Sequence, residues 1–229
     1  MTHHDTSQES SLAGRVVRSG SSAIGATLSA TIRTMAALRP SPKPLHPEGV
    51  VVTGSLERRG SAVLSGSGWL DEPGRDEVVV RVSRAIGLPD AVPDIHGLAV
   101  RVPTPAGVGD LLFAWTGWGL LGRFVLTFGG GPESRPMTTL LPYRTARGPA
   151  LLGVRAIDAQ VYEMSWCRPR GEWHAFAELR MTDDEAPNQA MSFDPVRNQL
   201  PGLTQYAWVR GLREPSYRTA RQSRQRKLP

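Results

Sequence analysis

Tyr217 lies four residues after Arg213 and seven before Arg224, a spacing that puts cations and a phenol on one side of a helix. A free phenol ionises near pH 10, so a phenolate at neutral pH needs such a cation beside it. Arg224 qualifies on any helix that starts at Pro215, and Arg213 qualifies if the helix runs back through that proline. A second chemical candidate is His46, in Pro44-Leu45-His46-Pro47, with Lys43 three residues before it. His96 and His174 are isolated and read as packing histidines, and His3 and His4 fall in a polar N-terminal end. The single cysteine, Cys167, ends a strand-like run and reads as a buried structural residue.

The P-loop, zincin and nucleophile-elbow motifs are missing: GxxxxGK[ST], HExxH and GxSxG do not occur. Gly129-Gly130-Gly131 reads as a loop. One cysteine excludes an internal disulfide framework and CxxC zinc sites, which suits a reducing cytoplasm. No apolar run is long enough to span a membrane. The net charge of +6 is concentrated at the end of the chain. Arg210, Arg213, Arg218, Arg221, Arg224, Arg226 and Lys227 face one acid, Glu214, so the excess describes that segment more than the whole protein.

The elements that must hold these groups are mostly strands. With 24 glycines and 19 prolines in 229 residues, the composition favours a turn-rich β fold over a helical bundle. Residues 1–40 read as a flexible start followed by an amphipathic helix over 21–38, stopped by Arg39-Pro40-Ser41-Pro42. Residues 41–229 read as one domain. Strand-like segments follow at Gly49–Leu56, Glu77–Ser83, Gly97–Val102, Asp110–Thr116, Arg123–Phe128, Leu152–Trp166 and Glu172–Met181. In the second, Val78, Val80 and Val82 share one side; in the last, Trp173, Ala175, Ala177 and Leu179 do. A helix over Pro215–Arg226, with proline in its first turn, closes the chain.

Several fragments, taken in order, resemble haem catalases and their short relatives, the catalase-like peroxidases. His46-Pro-Glu-Gly49 with Gly54 is similar to the family's distal-histidine segment, and Arg81-Val-Ser83 to its Arg-Phe-Ser. Asp94-Ile-His-Gly97-Leu-Ala99-Val-Arg101, with Asp110-Leu111 after it, resembles the next block. Ser192-Phe193-Asp194-Pro195, Asn198 and Leu200-Pro201-Gly202-Leu203 resemble Phe-Asn-Pro…Asn-x-Val-Pro-Gly-Ile, and Arg213-Glu-Pro-Ser216-Tyr217 with Arg224 the haem-tyrosinate motif. The resemblance spans about residues 43–225.

It implies an α+β, mainly β fold: a catalase-like antiparallel barrel with flanking helices, the last carrying the haem tyrosine. It implies ferric haem b with Tyr217 as axial iron ligand, and Arg213, Arg224, Lys43 and Arg81 as cations for the phenolate and the propionates. It implies His46 as the distal proton carrier, oriented by Ser83. The partners are a peroxide and a small organic reductant; nucleic acid is not expected, and a homo-oligomer is allowed. One departure matters: Ala114 stands where the family has a distal asparagine. The chain also stops soon after the haem-tyrosine helix. These point to a peroxidase with weak or absent catalase activity. The alternatives are a hydroperoxide-rearranging haem enzyme, a non-catalytic haem-binding protein, and a nucleic-acid-binding barrel using the basic tail.

Overall fold

The computed structural model describes residues 49–84, 96–127, 135–187 and 191–225. The expected helix over 21–38 and the loop at 129–131 lie outside them. The strands are β1 (Gly49–Arg59), β2 (Pro73–Arg84), β3 (His96–Thr104), β4 (Gly107–Trp115), β5 (Met137–Thr138), β6 (Tyr143–Thr145), β7 (Gly148–Asp158), β8 (Val161–Cys167), β9 (His174–Glu185) and β10 (Thr204–Gln205). The helices are α1 (Gly68–Asp71) and α2 (Ala207–Gln225). All pairings are antiparallel, and the order β7-β5-β4-β3-β2-β1-β9-β8 returns to β7. That ring is a closed eight-stranded barrel, which removes the exposed edges of an open sheet. β6 and β10 extend it beside β7.

The inner face is filled as the alternation requires. Val78 and Val80 of β2, Leu98 and Val100 of β3, and Leu111, Phe113 and Trp115 of β4 are all buried in one apolar core. The pattern slips in β9. Phe176, not Ala175, is buried, because the register with β8 shifts between Met164 and Ser165 and inserts one residue. Such a bulge flips the phase of everything before it.

Three expected elements differ. The run Leu152–Trp166 is two strands, turned at Ala159-Gln160, where Asp158 Oδ1 accepts from the Ala159 amide at 2.7 Å. No glycine or proline marks that turn. Arg123–Phe128 is not a strand: residues Gly122–Phe124 form a 3-10 turn, and only Leu126 bridges to Thr116. The Arg123 side chain explains it, being drawn inward by the carbonyls of Gly119 (3.2 Å) and Gly171 (2.8 Å). The last helix begins at Ala207, well before Pro215, which sits inside it. Proline removes one helical hydrogen bond, and burial of Val209 and Arg213 against the barrel offsets that loss.

Candidate functional site

Val209, Arg213 and Tyr217 recur every four residues along α2, so one stripe of the helix faces the barrel. Val209 and Arg213 are buried, and Arg213 Nη2 donates to the Thr139 carbonyl at 3.2 Å. Burial pushes the Tyr217 phenol up to about 12, and Arg213 pulls against that shift. A second phenol, Tyr143 of β6, is also raised by burial and also eased by Arg213. Arg213 thus acts on two tyrosines, the buried Tyr143 and the half-buried Tyr217. The carboxylates of Asp194 and Asp110 raise Tyr217 further, placing it within electrostatic reach of both.

Those carboxylates belong to a clamp that joins Arg101 and Asp110 to the fragment that begins at Ser192. Asp110 Oδ1 accepts from Arg101 Nε, and its Oδ2 accepts from Arg101 Nη2, the Asp194 amide and Asn198 Nδ2, each at 2.7 Å. Arg101 Nη2 also donates to the Ser192 carbonyl at 2.7 Å, and its guanidinium lies 5.0 Å from the centre of the Phe193 ring. Asp194 Oδ1 then caps the Val196 and Arg197 amides. The segment after β9 is therefore wrapped around one buried ion pair and delivered toward α2. Gly202 needs its φ of +73°, and any side chain there would strike Ser67.

Arg81, Ser83 and Ala114 share the outer face of the barrel. Opposed residues across neighbouring strands point the same way, and Gly49, Ser83, Gly97, Ala114, Thr138 and Gly153 form one such row. Arg81 lies in the adjacent row with Val51 and Ala99. A Cβ on Gly49 would come within 2.9 Å of Arg81 Nε and of Ser83 Cβ, so glycine lets β1 close over both. Gly54 likewise allows contact with the Arg180 carbonyl at the β1–β9 bulge. Burial lowers the pKa of Arg81, although guanidinium stays charged.

His46 and Lys43 lie outside the described residues, and of Arg224 only the helical backbone is described. His96 stacks on Trp115 at 4.3 Å, and His174 packs against Trp166 at 5.3 Å; both are aromatic packing contacts. Sequence spacing missed Tyr143 and Thr139, which nothing local ties to α2.

Cys167 is fully buried and accepts a hydrogen bond from Arg123 Nη1 at 3.0 Å. Burial drives its thiol up to about 12 despite that cation. The thiolate is the reactive form, so the native protein should be inert to a chromogenic disulfide reagent at pH 8 and react with one equivalent after denaturation. Rapid labelling of the folded chain would overturn this.

No protein-family model matches the chain, and no curated protein matches it. Among solved structures, a bacterial catalase superposes with a TM-score of 0.55 at 11% identity, covering 84% of this chain. The chain spans 59% of the length of that catalase. The likeness establishes the fold: a mainly β, catalase-like barrel carrying a terminal helix. Among the described residues no helix is long and apolar enough to cross a membrane, and no cluster of His, Cys, Asp and Glu has the make-up of a metal site.

A haem would need different donors, and the residues present fit it. Tyr217, with Arg213 near it on α2, provides a phenol that would lose its proton on binding ferric iron, with Arg213 as the countercharge. Arg81 provides a partly buried cation for a carboxylate. Gly49, Ser83, Gly97 and Ala114 put only small side chains on their part of the outer row, whereas the indoles of Trp118 and Trp173 cover it at Gly153.

Proposed function

We propose that this protein is a haem-dependent peroxidase of the catalase-like class, reducing hydrogen or organic peroxides at the expense of organic donors. The observation that carries the reading is Tyr217 held beside Arg213 on the helix that packs against a catalase-like barrel. In this reading Tyr217 Oη would hold the iron, and Arg213 and Arg224 would keep the phenol ionised once bound. Arg81 and Lys43 pair the propionates. Haem, when bound, would supply the electrons that break a peroxide O–O bond. His46 would carry the peroxide's proton from one oxygen to the other, so that water can leave, and Ser83 would orient the imidazole. The domain is residues 41–229, the cofactor is haem b, and the compartment is the cytoplasm.

The test is reconstitution with ferric haem, followed by peroxide-driven oxidation of a chromogenic donor. A chain that stays colourless after haem supplementation would overturn the reading. A haem-loaded chain whose Soret band ignores peroxide would instead be a binding protein.

Ala114 shapes the expected balance of activities. It is half-buried between Gly97 and Thr138, leaving space where the family carries an amide. One missing preorganised donor typically costs about 10²–10³ in rate. Turnover of a second hydrogen peroxide also has to orient it, so oxygen evolution suffers more than donor oxidation. Ala114→Asn should raise oxygen release relative to donor oxidation without changing haem content, read with an oxygen electrode beside the donor assay. Vigorous oxygen release from the unaltered protein would count against the assignment. The same open position supports a second reading, rearrangement of a bulky hydroperoxide, which product analysis with a lipid hydroperoxide separates from peroxidase action.

A further inference from the structure

Arg213 is a buried cation whose fixed partner is neutral. It is 9% exposed, and among the described residues it enters no ion pair. A buried guanidinium is almost always matched by an anion. The Asp110 carboxylate acts on the same tyrosine as Arg213 does, but it is committed to Arg101. Arg213 Nη2 donates instead to the Thr139 carbonyl at 3.2 Å, 74 residues away in sequence.

That carbonyl is presented by a strained turn. The Leu141 amide donates back to the Thr139 carbonyl at 2.6 Å, across Leu140, whose φ is +60°. A bond of this reach over a residue at positive φ is the rarer, strained form of γ-turn. Among the described residues Leu140 alone holds a positive φ without being glycine. The surroundings keep it there. The Thr139 amide donates to the Leu152 carbonyl at 3.0 Å, the Leu140 amide to Thr138 Oγ1 at 3.2 Å, and the Leu140 and Leu141 side chains are buried. Strain persists only where neighbouring structure over-determines it, and it concentrates at functional sites.

Tyr143 follows directly, opposed to Gln205 in the β6–β10 pairing and so next to the start of α2. It is buried, its hydroxyl makes no hydrogen bond among the described residues, and Arg213 is the cation that acts on it. Residues 139–143 therefore face the guanidinium with a carbonyl at one end and a phenol at the other.

We propose that this segment is a neutral cradle that fixes Arg213 while leaving its charge uncompensated, so that the charge is kept for the oxygen of Tyr217. Thr139, Leu140 and Tyr143 are then positioning residues, and their role rests on the reading of Tyr217 as the iron ligand. A carboxylate in place of the Thr139 carbonyl would hold the guanidinium as firmly but cancel its charge. A carbonyl fixes one N–H and leaves the net charge in a site shielded from water, where it acts most strongly on a nearby anion.

The experiment uses the full chain, first without haem. Chemical denaturation of the original, Tyr143→Phe, Arg213→Met and the double variant should show non-additivity of about fivefold or more in the unfolding constant. Leu140→Ile and Leu140→Met separate the turn from its packing, because both stay apolar and only the β-branched side chain resists a positive φ. With ferric haem added, Tyr143→Phe and Leu140→Ile should each weaken uptake about tenfold, as loss of a supporting partner does. Leu140→Met, which conserves volume, should stay within about twofold of the original. In an Arg213→Met background neither Tyr143→Phe nor Leu140→Ile should weaken uptake further, and thermal melts check that every variant folds. Equal losses with and without Arg213 would make these residues packing alone and overturn the proposal, as would an additive cycle in the haem-free chain. A coupled cycle in a chain that takes up no haem supports the cradle and overturns the reading of Tyr217, so the two fail separately.

Discussion

Tyr217→Phe should leave the barrel folded and abolish stable haem uptake. The hydroxyl contributes nothing to the clamp at Asp110, so the fold loses only a phenol that burial already disfavours as an anion. Losing the ligand itself should weaken haem binding by more than the roughly 10–100-fold typical of a supporting partner, which is the loss expected for Arg213→Ala. The readout is Soret absorbance during titration of apoprotein with ferric haem; a phenylalanine variant that titrates like the original would remove Tyr217 from the site. Because the phenol is pushed up to about 12 in the metal-free chain, ligation must expel its proton. Apparent affinity should therefore rise with pH below the ordinary phenol range, by about tenfold per pH unit from the phenol proton alone. Without haem the sign reverses in meaning. The phenol is neutral folded and unfolded below its ordinary value near 10, so stability is complete there. From pH 10 toward 12 the unfolded chain ionises first and stability falls. Alkaline melts of the apoprotein should show that loss, and the phenylalanine variant should show less of it.

The barrel was legible wherever alternation was uninterrupted. Val78, Val80 and Val82 on one side of β2 predicted a half-buried strand, and that face is in the core. It was illegible where tertiary contacts override local signals. Phe176 enters the core only because the β8–β9 register slips, and the turn at Ala159-Gln160 has no residue that demands one. Pro215 looked like a helix start because proline fits a first turn; only the stripe Val209, Arg213 and Tyr217 explains a helix that runs through it. In the candidate site, spacing pairs Arg213 with Tyr217 only on a helix that runs back through Pro215, as α2 does. Tyr143 could not be paired at all, since strand pairing far away in sequence carries it to the same arginine. The row joining Ser83 to Ala114 is likewise a property of register between strands.

Asp110→Ala should cause the largest loss of stability of any single change considered. The carboxylate is wholly buried and accepts hydrogen bonds from three residues, two of them at Oδ2 from the segment after β9. Alanine leaves the Arg101 guanidinium without its anion in a site largely shielded from water. Breaking one side of a buried pair typically costs about 3–5 kcal/mol, a third or more of an ordinary domain's stability. Asp110→Asn keeps the volume but turns an amide donor toward donors, so it should not rescue. Replacing both partners, Asp110→Leu with Arg101→Met, removes the charge without stranding its mate and should recover much of the loss. The measurement is chemical denaturation of the original, Asp110→Leu, Arg101→Met and the double variant as a double-mutant cycle, with Asp110→Ala and Asp110→Asn beside them. A cost below about 1 kcal/mol for Asp110→Ala would mean the pair behaves like a surface bridge. Haem uptake by the double variant then reads a separate consequence. Asp194 and Asn198 would lose the acceptor that holds their segment, and with it the path that leads from the barrel to the helix carrying Arg213 and Tyr217.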